Sequence, residues 1–218
     1  MEVLDLKLFD LDGTLIDSNG VWIDIDVAFL EKRGLSYTPE YSAGVAHAIF
    51  PTAAKFTREY FQLADSPEDI MAEWLEMARQ AYAGEIPLKP FAREYLEQEF
   101  QKGEPLAIVT ACVPDLCRAV LTHHGLTGLF REIVFAHDIG MEKRDPRFFD
   151  GVIARLGVTA SDCTLYEDAP DNCAAAKAAG IRVVGVHDDF FAGSEGEIRA
   201  VTDRYIMSFR ELMDEPLS

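Results

Sequence analysis

Phe9-Asp10-Leu11-Asp12-Gly13-Thr14-Leu15 is the stretch that decides the fold. The residues before it, Val3-Leu4-Asp5-Leu6-Lys7-Leu8, are apolar enough for a buried strand, and that strand ends abruptly in two carboxylates and a glycine. Acids at the tip of a buried strand are there to be used or solvated, and open α/β sheets place their ligands at the carboxyl ends of strands. Asp10 and Asp12 stand two apart, so both point the same way. Gly13 lets the chain turn sharply or a ligand come close. Two adjacent carboxylates either share a cation or leave one of them protonated. The first gives electrophilic catalysis by a divalent ion. The second gives one nucleophile and one acid/base.

Downstream of this tip the pattern changes. From Gly20 to about Gly84 the apolar residues recur at helical spacing, with starts at Thr38-Pro39, Pro51 and Ser66-Pro67, and no strand is legible. From Phe91 onward strands and helices alternate. Strands are expected at Leu106 to Thr110, Glu132 to Phe135, Cys163 to Tyr166, Arg182 to Val186 and, as a short edge, Tyr205-Ile206. Helices are expected at Phe91 to Lys102, Pro114 to His124, Pro146 to Leu156 and Pro170 to Ala179, with a last helical turn at Phe209 to Met213. The alternation predicts an α/β fold, a doubly wound parallel sheet with helices on both faces. The helical run is then an insert: residues 1–18 and 89–218 form the core, and residues 19–88 an all-helical cap.

Composition narrows the function. The 218 residues are 49% hydrophobic, enough for a sizeable core, and 38 acids against 20 bases give a formal net charge of -18. No basic surplus exists to neutralise a nucleic-acid backbone or an anionic membrane, so neither is an expected partner. Cys112, Cys117, Cys163 and Cys173 show neither Cys-x-x-Cys nor zinc spacing and read as buried thiols. The acidic start lacks the pattern of a signal peptide, and no apolar run spans a bilayer. A cytoplasmic location is expected. Nothing in the sequence speaks to oligomeric state.

Three further strand tips carry chemistry. Thr110-Ala111 offers a hydroxyl and the N–H groups that open the next helix, a cradle for phosphate. Glu142-Lys143-Arg144-Asp145-Pro146 sets a lysine before a helix start. Tyr166-Glu167-Asp168-Ala169-Pro170 ends another strand in paired acids, hard oxygen donors of the kind Mg²⁺ takes. Together with the first stretch, and in this order, these four segments resemble the four motifs of the haloacid dehalogenase superfamily, whose members are mostly phosphatases. The resemblance covers nearly the whole chain; the insert matches the family's helical cap in position and type only. Arg144 stands where members often have proline, and Ala169 and Asn172 where they often have Ser and Gly.

The resemblance implies that Asp10 is the nucleophile and Asp12 the general acid/base. It implies phosphate binding by Thr110, Ala111 and Lys143. Mg²⁺ would be held by an Asp10 carboxylate oxygen, the Asp12 backbone carbonyl and Asp168, with Glu167 behind them or as an occasional ligand. The implied activity is hydrolysis of a small phosphorylated metabolite through an aspartyl phosphate. A sugar phosphomutase of the same family is the alternative within this chemistry, and a non-catalytic binding protein on the same fold the alternative outside it. Asp12 argues against the metal-free dehalogenases, which lack that acid, and Lys55 fits an amphipathic helix better than a Schiff-base site. Trp22, His47, Lys55 and Arg58 are candidate cap residues; Trp22 and His47 fit a core position better than a substrate contact, and Lys55 and Arg58 a solvated face. Cys112, two residues past Thr110, is placed where oxidation would obstruct the site.

Overall fold

Leu6 to Phe9 are all buried and form a central strand, β1 (Leu6–Phe9), in the computed structural model, which describes residues 5–45, 50–84 and 86–213. Residues Val3 and Leu4 of the expected strand, and His47 of the helical run, lie outside these. The other strands are β2 (Leu106–Thr110), β3 (Glu132–Phe135), β4 (Cys163–Glu167), β5 (Arg182–Val186) and β6 (Arg204–Ile206). They pair in the order β3-β2-β1-β4-β5-β6, and every pairing is parallel. β1 therefore has a neighbour on each side, β2 in register Phe9↔Ile108 and β4 in register Phe9↔Tyr166. The chain order reverses between β1 and β4, where such sheets leave a crevice for ligands.

Period-two alternation fills both faces of the sheet. Leu6, Leu8, Ala107, Val109, Leu165 and Val183 join one buried cluster with Phe148, Phe149 and Val152. On the other parity Phe9 stacks on Tyr166 at 4.5 Å and meets Tyr95 edge-on at 6.3 Å, with Phe209 at 6.4 Å. Lys7, buried in that row, pairs with Glu99 at 3.1 Å.

The chain divides into two units, residues 1–19 with 86–218, and residues 20–85. The second is helical: α1 (Val21–Glu31), α2 (Pro39–Val45), α3 (Phe50–Phe61) and α4 (Pro67–Gly84). Its core is aromatic. Trp74 meets Phe29 and Phe50, each at 5.6 Å, and Tyr41 packs on Phe61 at 5.1 Å while its hydroxyl lies 2.9 Å from Thr57 Oγ1. Arg33 ties two helices by bonds to Glu73 at 2.7 Å and Asp65 at 2.9 Å.

In the first unit the helices are α5 (Ala92–Gln101), α6 (Pro114–His123), α7 (Ala136–Ile139), α8 (Pro146–Leu156), α9 (Pro170–Ala178) and α10 (Glu195–Val201). The short α7 and the α10 segment are absent from the sequence expectation. α7 is a single turn closed by Gly140, and α10 buries Ile198 fully and Val201 in part against the core, too little apolar repetition to be legible. Among the described residues no helix is long and apolar enough to cross a membrane.

Candidate active site

The turn after β1 is built by the backbone. Asp10 N–H extends the pairing with β4 by donating to the Tyr166 carbonyl at 3.0 Å. The chain then folds back on itself: Leu15 and Ile16 N–H both donate to the Leu11 carbonyl, and Gly13 N–H to that of Ile16 at 2.8 Å. Gly13 sits at φ +82°, and a Cβ there would lie 2.3 Å from Asp168 Oδ2 and 2.2 Å from Asn19 Nδ2. Both the turn and the close approach of Asp168 require glycine at this position.

Lys143, on the loop before α8, reaches the tips of two strands. Its ammonium donates to Asp10 Oδ1 at 2.5 Å and to Glu167 Oε2 at 2.6 Å, and all three side chains are buried. Asp145 caps α8 by accepting from Arg147 N–H, and Pro146 fills its first turn, so the loop bearing Lys143 is anchored directly to a helix start. Glu167 is held on both oxygens. Oε2 faces Lys143, and Oε1 accepts from the N–H groups of Asp168 and Ala169 at 3.2 and 3.1 Å. In this arrangement Glu167 anchors the lysine and the turn after β4.

Asp168 accepts from Thr14 Oγ1 at 2.8 Å on one oxygen and from Asn19 Nδ2 at 2.9 Å on the other. Ser18 donates to Asp12 Oδ1 at 2.7 Å. Thr110 is buried at the end of β2, and its oxygen accepts from Cys112 N–H at 2.9 Å, which leaves its O–H to donate. Asp10, Asp12, Asn19, Ala111, Lys143, Glu167, Asp168, Asn172 and Phe191 line a cavity of about 160 Å³. Thr110 itself is not part of this wall. A larger cavity of about 550 Å³ shares Ala111, Lys143 and Asn172 and extends past His137, Met141 and Arg144.

The electrostatics follow from burial. Asp10 is pushed up to about 8, by desolvation first and by the charge of Glu167 next, with Lys143 pulling the other way. Asp168 rises well above the usual carboxylate range for the same reasons, against its bonds from Thr14 and Asn19. Burial works to strip Lys143 of its proton, but Asp10 and Glu167 outweigh it and hold the ammonium charged. The Cys112 thiol is pushed up by burial and by Asp12 beside it.

Carboxylate oxygens of Asp10, Glu167 and Asp168 approach within 4.8 Å of one another. This is an all-oxygen, anionic donor set, and among the described residues the Lys143 ammonium is the cation bonded to it. The residues fit a hard divalent ion. Sequence reading missed Thr14, Ser18 and Asn19 as partners of the acids, although Thr14 lies inside the decisive stretch. Of the candidate cap residues, Trp22 is half-buried against Phe50 at 5.6 Å, and Lys55 and Arg58 are exposed on α3.

The fold and these strand tips define a class. The chain belongs to the haloacid dehalogenase-like hydrolases, whose family model matches residues 7–186. It is 29% identical over 184 residues to the validoxylamine A 7'-phosphate phosphatase of Streptomyces hygroscopicus, covering 83% of this chain and 84% of that one. It is 26% identical over 184 residues to a phosphorylated carbohydrates phosphatase of Thermotoga maritima, covering 84% and 85%. Among solved structures, a Thermotoga maritima protein provisionally named a β-phosphoglucomutase shares the fold with a TM-score of 0.81 at 24% identity, over 93% of this chain and 94% of that one.

Proposed function

We propose that this protein is a magnesium-dependent phosphatase that hydrolyses a small phosphorylated metabolite through an aspartyl phosphate on Asp10. The observation that carries this reading is the Lys143 bridge between Asp10 and Glu167, with the Asp168 carboxylate beside it at the switch of the sheet. The named phosphatases among its relatives support it.

In this mechanism Asp10 Oδ2, the oxygen not held by Lys143, attacks phosphorus in line. The bond from phosphorus to the ester oxygen breaks as the new one forms, and Asp12, oriented by Ser18, gives its proton to the leaving alkoxide. Asp12 then takes a proton from the water that attacks phosphorus, and Asp10 leaves as a carboxylate. The Lys143 ammonium, the Thr110 hydroxyl and the N–H groups opening α6 carry the charge on the equatorial oxygens. Asp10, Asp168 and the Asp12 carbonyl would hold Mg²⁺, which when bound supplies further positive charge to the phosphoryl group and keeps Asp10 ionised.

The test is hydrolysis of p-nitrophenyl phosphate and a panel of sugar phosphates, with Mg²⁺, with EDTA and with Asp10→Asn. Phosphate release that needs Mg²⁺ and vanishes in the variant is expected. Equal release by Asp10→Asn, or release indifferent to EDTA, contradicts the mechanism. Isomerised sugar phosphate without free phosphate points instead to a mutase.

A further inference from the structure

Asp188 is a carboxylate 3% exposed, two residues beyond the end of β5. Its Oδ2 accepts from Lys89 Nζ at 2.8 Å, and its Oδ1 accepts from Asn19 Nδ2 at 3.1 Å and from Phe190 N–H at 2.9 Å. The same Asn19 nitrogen donates its other proton to Asp168 Oδ2 at 2.9 Å. Both neighbours of that amide are carboxylate oxygens, so its NH₂ group must face them, and both of its protons are used. Four side chains, Asp168, Asn19, Asp188 and Lys89, thus form one line of hydrogen bonds running from the tip of β4 to a buried cation. We propose that Asp188 and Lys89 are positioning residues that act through Asn19 to fix the Asp168 carboxylate in the orientation that receives the metal.

The physical argument concerns which orientations are open to each group. Asn19 free to rotate would offer Asp168 its carbonyl oxygen as readily as its amide protons, and oxygen against carboxylate is repulsive. Asp188 forbids that rotamer, because it too demands a proton from the same amide. Lys89 in turn makes the ionised form of Asp188 tolerable in a buried place, where a lone carboxylate is costly. The backbone sets the ends of the line. Asn19 and Lys89 lie at the two points where the chain leaves and re-enters the first unit, and these segments are joined there. Asp17 N–H donates to the Pro87 carbonyl and Lys89 N–H to that of Leu15, at 3.0 and 2.9 Å.

This inference rests on the magnesium reading above, and its test separates the two. Magnesium is titrated into the metal-free full chain by calorimetry, for wild type, Asn19→Ala, Asp188→Ala, the double variant, Lys89→Met and Asp188→Asn. Loss of such supporting partners typically costs about 10-fold or more in metal affinity. A loss of about 10-fold is expected for Asn19→Ala and for Asp188→Ala, and no further loss in the double variant, because the two act in one line. Lys89→Met weakens binding in the same direction. Asp188→Asn keeps an oxygen for the Asn19 amide and recovers most of the loss. The magnesium concentration for half-maximal turnover rises in step for Asp188→Ala and Lys89→Met. Asp203→Ala is the control for a merely structural effect. Asp203 accepts from Val183 N–H at 2.8 Å on β5, and its removal lowers stability without moving magnesium affinity. Multiplying losses in the double variant, or wild-type affinity in Asp188→Ala and Lys89→Met, overturns this inference alone. A wild-type chain that binds no magnesium overturns the metal reading, and this inference with it.

Discussion

Asp10 and Glu167 lean on a single ammonium, that of Lys143, and all three are out of solvent. Two consequences follow at the scale of the residue. Lys143→Met leaves a pair of buried carboxylates without their cation, a loss that typically costs about 3–5 kcal/mol. Urea unfolding of this variant above pH 8, where Asp10 of the wild type is ionised, is expected to show a loss of that order, shrinking as pH falls through about 8 and Asp10 takes up its proton; a loss independent of pH would mean that Lys143 acts through packing alone. The second consequence concerns Gly13. Its positive φ and the 2.3 Å approach to Asp168 leave no room for a methyl group, so Gly13→Ala must displace Asp168, and loss of phosphatase turnover is its expected outcome. Retained activity in Gly13→Ala would show that Asp168 is not needed where it stands.

At the scale of the element, the return from the helical unit enters α5 through Phe91, an exposed residue held at φ 63°. Left-handed backbone costs a residue with a side chain about 1–2 kcal/mol, partly offset in glycine by the greater freedom of its unfolded chain. Phe91→Gly is expected to stabilise the protein by up to about 1 kcal/mol, read as a raised urea midpoint at unchanged slope; a lowered midpoint would mean that the ring's packing near Arg210 outweighs the strain. The strands were readable because each of β1, β2, β4 and β5 is a short apolar run bounded by turn residues, with a helix start close behind β2 and β4. The strand-tip acids, Thr110 and Lys143 were readable for the same reason, since each follows a strand or precedes a capped helix. The line from Asp168 to Lys89 was not. Its bonds join residues 149, 169 and 99 positions apart, and nothing local marks Asn19, Lys89 or Asp188 as partners. α10 stayed hidden because a helix with one buried residue carries no periodic signal.

At the scale of the whole molecule, a chain of net charge -18 gathers acids around one small cavity. Without metal, Asp10 sits at about 8 and Asp168 is raised also, both above their values in the unfolded chain. The folded state therefore holds protons that the unfolded state gives up. Stability from these groups is fully present below about pH 4 and is lost as pH rises through about 8. A divalent cation takes over from the protons, so the rise in Tm from EDTA to Mg²⁺ is expected to be larger at pH 8 than at pH 5. An equal rise at both would separate metal binding from these carboxyls. The central claim is that Asp10 carries the phosphoryl group during turnover. The most direct measurement is to quench the enzyme in acid during steady-state hydrolysis, reduce with borohydride, and sequence the peptides by mass spectrometry. An acyl phosphate is reduced to an alcohol, so Asp10 is expected to appear as homoserine, and only when substrate was present. Homoserine at another aspartate, or none at any position while p-nitrophenyl phosphate is being turned over, would contradict the account.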